Sequence, residues 1–215
     1  MWATNCSGWD DRGAELQCVV CRQVPKSGSR QQDPSADPRD GILILLVTPD
    51  VIKNNKLSAY QVLSHPELAG HIASTGPRVK FDNLRVPARN LLAAPGKGAV
   101  LVEQAFTFTA VLVGAMSVSI MRAAYEAALE FSKQDTRGGA GSIVGRQSVA
   151  NLLMNVKMNC DASRALTWAA AHAVESGRGP EMALEAKIFC SDIAVKSVVD
   201  AMSAVGVQVA RFQRL

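Results

Sequence analysis

The chain has 215 residues, and its composition, 48% hydrophobic and 20% charged, is that of a folded globular protein and argues against extended disorder. Its 23 basic and 19 acidic residues leave a formal net charge of only +4, and no tract of five or six like charges concentrates it. Because binding to nucleic-acid phosphates needs a concentrated basic face, we expect no nucleic-acid partner.

The first half of the chain, up to about residue 95, has the sequence pattern of a β-rich domain. Residues 15–22 and 42–47 are short apolar runs rich in β-branched side chains, and residues 78–86 alternate between apolar and polar types. Each of these segments predicts a strand. Residues 25–41 contain three prolines and two glycines, which predicts an exposed loop between two antiparallel strands.

From residue 96 the apolar period changes to about 3.6, which predicts long helices. A glycine-rich break at residues 137–141 ends the first helix, the second is predicted at 146–175, and the third at 181–205, after the sequence GRGP. The predicted apolar stripes are Val113, Met116, Ile120, Ala124, Ala127 and Phe131; then Val149, Leu152, Leu153, Val156, Cys160 and Ser163; then Leu184, Ile188, Val195, Val198, Met202 and Val205.

The two halves together predict an α+β fold. A partial antiparallel β-domain occupies residues 1–95, and an incomplete antiparallel helical bundle occupies residues 96–215. Three helices bury much of one another, but the third has no partner on its outer side. A fourth helix is expected there, from further sequence or from another subunit, and the apolar surface of a single copy favours a homo-oligomer.

Cysteines and histidines predict neither a disulfide framework nor a metal site. The cysteines lie scattered at positions 6, 18, 21, 160 and 190, which suits a reducing compartment. Cys18 and Cys21 have the spacing of a metal-binding pair, but no second pair follows them. The most apolar stretch, residues 110–121, is shorter than a membrane span, and we recognise no signal peptide. We therefore expect a cytoplasmic location without a membrane partner, and leave mitochondria and peroxisomes open.

Several motifs occur in an order that points to one family. They are WATN at residues 2–5, VKFDNLRVP at 79–87, GKG at 96–98, Gln147 near the start of the second helix, and ALEAK and DIA in the third. Together they resemble the acyl-CoA dehydrogenase flavoenzymes over nearly the whole chain. The sequence DTRGG at residues 135–139, followed by QSVA, looks most like the nitroalkane-oxidase-like branch. The resemblance implies that residues 1–95 are part of a middle β-barrel domain.

The resemblance also implies an FAD cofactor and five residues that contact it. Trp2 would pack against the isoalloxazine ring, and the Thr4 hydroxyl would form a hydrogen bond near flavin N5, where reduction adds electron density. Arg137 and Gln147 resemble residues with which one subunit reaches the adenine and pyrophosphate end of its partner's FAD. Gly206 stands where the family has a glycine pair close to the cofactor.

By themselves, these residues also have simpler explanations. Trp2 and Thr4 could be ordinary strand residues, and residues 137–141 a flexible turn between helices. A helical scaffold unrelated to flavin would require the motifs at both ends of the β-rich half to match by coincidence. The carboxylates of the helical half fall on polar faces or helix ends, where solvated or ion-paired roles are usual, so no catalytic base is assigned.

The activity that the resemblance implies is a flavin-dependent oxidation of a small molecule, at the CH–CH bond of an acyl-CoA or at a related carbon acid. It also implies a dimer or a dimer-of-dimers tetramer with FAD between subunits. Two alternatives stay open. Thr109 and Ala110 stand where the family has an arginine that meets coenzyme A, which favours a nitroalkane. The chain also starts on the flavin-ring motif and stops before the family's catalytic carboxylate, as a non-catalytic fragment or partner subunit would.

Overall fold

The computed structural model describes residues 16–24, 37–65, 67, 70 and 76–207. The helices and strands follow one another as β1 (Gln17–Arg22), β2 (Ile42–Val47), α1 (Pro49–Lys53), β3 (Tyr60–Ser64), β4 (Arg78–Phe81), β5 (Leu91–Ala93), α2 (Gly98–Gln134), α3 (Gln147–Glu175) and α4 (Pro180–Val205). The chain forms two compact units, Met1–Glu103 and Gln104–Leu215, which divide within α2. The α+β prediction is confirmed; the predicted boundary near residue 95 stays a prediction.

The first unit contains two small antiparallel sheets. β1 pairs with β2 from Gln17 opposite Val47 to Arg22 opposite Ile42, which confirms two of the predicted strands and their antiparallel pairing. β5 pairs with the other edge of β2, and β3 pairs with β4. The buried side chains of Val19, Val47 and Val51 pack with partly buried residues that include Phe81. This small apolar core holds the strands and α1 together.

Three short elements of this unit were not predicted from the sequence. They are α1, β3 and β5, each of three to five residues, a length at which periodicity carries little signal. The third predicted strand, residues 78–86, was too long, because β4 ends at Phe81. Asn83 then has a left-handed φ of 54°, which breaks the extended chain. Beyond it, the Asn55 side chain binds both the backbone N–H and the carbonyl of Arg85, at 2.8 and 2.9 Å.

α2 begins where its backbone lies almost in contact with β2. A Cβ built on Gly98 would lie 2.5 Å from the Ile42 carbonyl oxygen and 2.9 Å from the Leu43 Cα. Both neighbours are backbone atoms, which cannot rotate away as a side chain can. Only glycine therefore allows this approach without a shift of the main chain.

The second unit is made of α3, α4 and most of α2. The predicted limits of the second and third helices, 146–175 and 181–205, agree with the observed ones to within one residue. Contacts of Asn159 with Ser197 and of Thr167 with Cys190 show that α3 and α4 run antiparallel. One buried cluster joins all three helices, and its members are Ala128, Ile143, Val149, Leu153, Val156, Ala201, Ala204 and Val205.

The predicted core-facing stripe is right for α3, whereas in α4 only Val205 of the predicted residues is buried. In α3, Val149, Leu153, Val156, Cys160 and Ser163 are buried as predicted. In α4 the buried residues, apart from Val205, are small: Ala183, Ala186, Cys190, Ala194, Ser197, Ala201 and Ala204. The predicted Leu184, Ile188, Val195 and Met202 are exposed, Val195 to 69%. Small side chains let two helices approach closely, and here that closeness determines which face of α4 is inside.

The first-helix stripe is right in part, because Ala124 and Phe131 pack against the buried cluster. Met116 and Ile120 are exposed, whereas Ala110, Val118 and the fully buried Met121 face the helices of the unit. Among the described residues, α2 is the one helix that is long and apolar enough to cross a bilayer by length and composition; its most apolar 18-residue window has a mean hydropathy of 1.7 and is 17% buried. Core helices of soluble proteins also have this length and composition, so the apolar character of α2 is only weak evidence for a membrane segment.

We expect the substitution Gly98→Ala to destabilise the first unit, because the new methyl group would overlap the β2 backbone. The expected loss is about 1–3 kcal/mol, typical of an overpacked site, and should appear as a lower urea midpoint. Gly141→Ala is the control, because a Cβ at Gly141 meets no atom within 4 Å. Equal midpoints for the two variants would show that the contact of Gly98 with β2 is not tight in solution.

Candidate functional site

The turn between α2 and α3 carries one of the predicted cofactor residues, Arg137, and is held by specific contacts. Ile143 is fully buried in the core of the helical unit, and its backbone N–H donates to the carbonyl of Asp135 at 2.8 Å. The Arg146 guanidinium donates to the Thr136 carbonyl at 3.0 Å. The turn is therefore anchored from both sides, which the glycine-rich sequence alone did not indicate.

Arg137 lies in this turn and reaches the end of α4. Its Nη2 donates to the carbonyl oxygens of Ala204 at 2.7 Å and Val205 at 2.9 Å. The Asp135 carboxylate accepts the Arg137 backbone N–H at 2.9 Å and lies 3.5 Å from its Nε. Arg137 has a left-handed φ of 48°, a conformation that is unfavourable for a residue with a side chain. The guanidinium thus binds carbonyls that have no partner within the helix.

Gly206 follows α4 and lies beside the same guanidinium. Its φ of 72° and ψ of −147° are accessible to glycine and strained for other residues, and its N–H donates to the Met202 carbonyl. A Cβ at this position would lie 3.3 Å from Arg137 Nη2. The structure therefore brings two predicted cofactor residues, Arg137 and Gly206, into one cluster at the end of α4.

Gln147 is the first residue of α3 and is exposed. Its side-chain amide donates to Asn151 Oδ1 at 2.8 Å, one helical turn further on. The preceding residue, Arg146, makes no side-chain hydrogen bond to the helix start. The first N–H groups of α3 therefore lack a side-chain cap, and a helix start attracts negative charge. Trp2 and Thr4 lie outside the described residues, and their flavin contacts stay predictions.

Asp135 is a functional candidate that the sequence analysis missed. It fixes the backbone and the guanidinium of Arg137 at the same time. The signal was present, because an aspartate two residues before a glycine-rich turn often accepts a backbone N–H there. The family resemblance of DTRGG assigns no role to its first residue.

Two polar side chains of the helical unit, those of Thr109 and Ser203, make hydrogen bonds within their own helices. The Thr109 hydroxyl donates to the Phe106 carbonyl at 3.1 Å, and the Ser203 hydroxyl donates to the Val199 carbonyl at 2.8 Å. Thr109 offers no positive charge to an anionic substrate group. Ser203 adds a small polar group on the turn of α4 that precedes Gly206.

A charged cavity of about 330 Å³ lies between α2 and α3. It is lined by Arg122, Tyr125, Glu126, Lys157, Cys160, Asp161 and Arg164. Its cations already have anionic partners: Arg122 binds Glu126 at 2.7 Å, and Lys157 and Arg164 both bind Asp161. The hydrogen bond from Lys157 lowers the pKa of Asp161, and the hydrogen bond to Glu126 raises the pKa of Arg122. Three cations thus share two carboxylates, which leaves the lining with a formal charge of +1 but with an anionic partner for each cation.

Cys160 forms the buried base of this cavity. The residue is 3% exposed, and its thiol donates to the Val118 carbonyl at 3.7 Å. Burial raises its pKa, and the positive charge of Arg164 opposes that effect in part. A raised thiol pKa means less thiolate at neutral pH, so Cys160 is poorly suited to act as a nucleophile. Within the described ranges, no three His, Cys, Asp or Glu side chains are grouped as metal ligands.

Comparison with known proteins gave consistent matches. The family profile for the acyl-CoA dehydrogenase C-terminal domain matches residues 96–211. Nitroalkane oxidase from Podospora anserina is 46% identical over all of this chain and 50% of its own length, and that from Fusarium oxysporum is 49% identical over 97% and 48%. A nitroalkane oxidase active-site mutant crystallized with 1-nitrooctane is 48% identical, with a TM-score of 0.89 over 97% of this chain and 50% of its own. The chain spans about half the length of these relatives.

We expect Cys160 to react with iodoacetamide at least about tenfold more slowly than the exposed Cys18 in the native protein at pH 8. Because its pKa is raised, the rate at Cys160 should increase only at a higher pH than in the urea-unfolded chain. Peptide mass spectrometry over time measures both sites, and unfolding in urea should remove the difference. Equal native rates would contradict both the burial and the raised pKa.

Proposed function

Because the chain belongs to the acyl-CoA dehydrogenase family, we propose that the protein is an FAD-dependent oxidoreductase that oxidises small nitroalkanes. The observation that carries the proposal is the identity of 46–49% to two nitroalkane oxidases, which extends over 97–100% of this chain. A nitro group makes the neighbouring C–H bond acidic, so a base can remove the proton. FAD, when bound, would accept the electron pair that this bond leaves behind.

The described residues fit the adenine and pyrophosphate end of FAD. Gln147 presents an exposed amide at the start of α3, where the backbone N–H groups have no side-chain cap. Such a helix start is a favourable place for a phosphate. Gly206 offers backbone without a side chain, in a conformation that suits glycine. We propose Gln147, Arg137 and Gly206 for this end of the cofactor, and Trp2 and Thr4 for the flavin ring.

Acyl-CoA is the second candidate substrate, because the matching family profile is that of the acyl-CoA dehydrogenases. The residues of α2 argue against it. Thr109 donates its hydroxyl to its own helix and carries no charge for the phosphates of coenzyme A. A nitroalkane needs no such contact. We therefore propose nitroalkanes, rather than acyl-CoA thioesters, as the substrates. We assign no catalytic base within the chain.

We also propose that the protein works as a homo-oligomer, a dimer or a tetramer, in the cytoplasm. Support comes from the unpartnered apolar residues on α2 and α4, which include Phe106, Leu112, Ile188, Val195 and Val199, each more than half exposed. An apolar surface of this kind is usually covered by another element or another subunit. The molar mass in solution tests this part of the proposal.

Flavin content is the first test of the proposed function. The purified chain, with and without added FAD, should show a bound-flavin absorption spectrum, and the complex should be reduced by a nitroalkane under anaerobic conditions. Reduction by an acyl-CoA alone would move the substrate to the second candidate. A colourless chain that does not bind FAD would contradict the proposal for this chain and favour a non-catalytic role.

We expect Gln147→Ala to weaken FAD binding about fivefold, through loss of one hydrogen bond to the cofactor, without a change in the unfolding midpoint. Fluorescence titration with FAD measures the affinity. Gln134→Ala is the matched control, because Gln134 is also exposed near a helix end and donates its amide one turn away, to Glu130 at 2.6 Å. Equal FAD affinities for the two variants would remove Gln147 from the site.

A further inference from the structure

We propose that Arg137 is a positioning residue: it fixes the end of α4, and with it Gly206, and it supports FAD binding mainly in this way. The inference rests on the proposed function and refines one of its residues. The guanidinium already has partners within the protein, because its Nη2 donates to the Ala204 and Val205 carbonyls.

The contacts of Arg137 connect three parts of the helical unit. Asp135, at the end of α2, holds the backbone and Nε of Arg137. The guanidinium holds the last carbonyls of α4, and the buried Ile143 ties the same turn to the core. Arg137 is therefore the link between the turn and the residue that follows α4.

Gly206 shows why the link matters for a ligand. Its N–H donates to the Met202 carbonyl. A Cβ on its Cα would come within 3.3 Å of Arg137 Nη2, so the backbone lies close to the guanidinium. The backbone after α4 is thus held between the helix and Arg137. Without Arg137 the end of α4 loses its charged hydrogen-bond donor, and the last turn of a helix frays when its carbonyls are unpartnered.

The effect of Asp135→Ala on FAD affinity distinguishes a positioning role of Arg137 from a direct electrostatic role. If positive charge near the pyrophosphate were decisive, Asp135→Ala would remove a negative charge and strengthen FAD binding. If positioning is decisive, the same change loosens Arg137 and weakens binding. Arg137→Lys adds a second distinction, because it keeps the charge but lacks the planar group that meets two carbonyls and Asp135 together.

The experiment uses the full chain and measures two quantities. Hydrogen exchange of the cofactor-free protein reports the amides of residues 202–207, and fluorescence titration reports FAD affinity. We expect faster exchange there in Arg137→Gln and Asp135→Ala, with FAD affinity lowered about tenfold and about threefold. Arg137→Lys should remain close to Arg137→Gln. Tighter binding in Asp135→Ala, full affinity in Arg137→Lys, or unchanged exchange in Arg137→Gln would overturn the proposal.

Two controls keep the outcomes separate. Arg122→Gln removes an equal charge from an exposed pair on α2 and should change neither quantity. Met121→Ala removes a fully buried side chain from a separate core cluster and should lower the unfolding midpoint without selective exchange at residues 202–207. Should the wild-type chain bind no FAD, the proposed function fails, and the exchange of the cofactor-free protein still decides whether Arg137 fixes the end of α4.

Discussion

The close approach of α4 to α3 is the constraint on which the helical unit depends. The buried face of α4 consists mostly of alanine, serine and cysteine, and Cys190 lies within 3.6 Å of the Ser163 carbonyl. α2 also approaches α3 closely, at Gly114, where a Cβ would lie 3.0 Å from Thr167 Oγ1. Contacts of Ser197 with Asn159 and of Cys190 with Thr167 set the position of α4 along α3. Its last turn consequently ends beside Arg137.

The same packing determines the outer surface of the unit. With small residues inside, the larger apolar residues of α4 face outward, among them Ile188, Val195 and Val199. Burying alanine removes little apolar area from water, so the α3–α4 contact contributes less per residue than a leucine-rich contact would. The outward face therefore holds much of the apolar surface that α4 could still bury. The proposed oligomer would use that surface, and the cluster of Arg137 and Gly206 lies at the end of the same helix.

The sequence predicted the helices well because glycine, proline and a sustained period mark their limits. It did not predict the inner face of α4, because hydrophobicity ranks Leu184 and Ile188 above Ala186 and Cys190, whereas the interface admits only small side chains. Strands β3 and β5 were missed because their pairing is set by contacts remote in sequence. At the candidate site, the family motifs indicated Arg137, but its link to Ala204 spans 67 residues and no local pattern encodes it.

The backbone at Arg137 shows how the balance of energies favours arginine there. A left-handed conformation costs a residue with a side chain about 1–2 kcal/mol, a cost that glycine, as at the neighbouring Gly138, avoids. Each hydrogen bond from a charged group contributes about 1.5–3 kcal/mol, and the guanidinium makes two to the end of α4. The favourable effect of a cation at the C-terminal end of a helix adds to these bonds. The strain at Arg137 is therefore offset only while the guanidinium stays on α4, so the turn and the end of that helix form one coupled element.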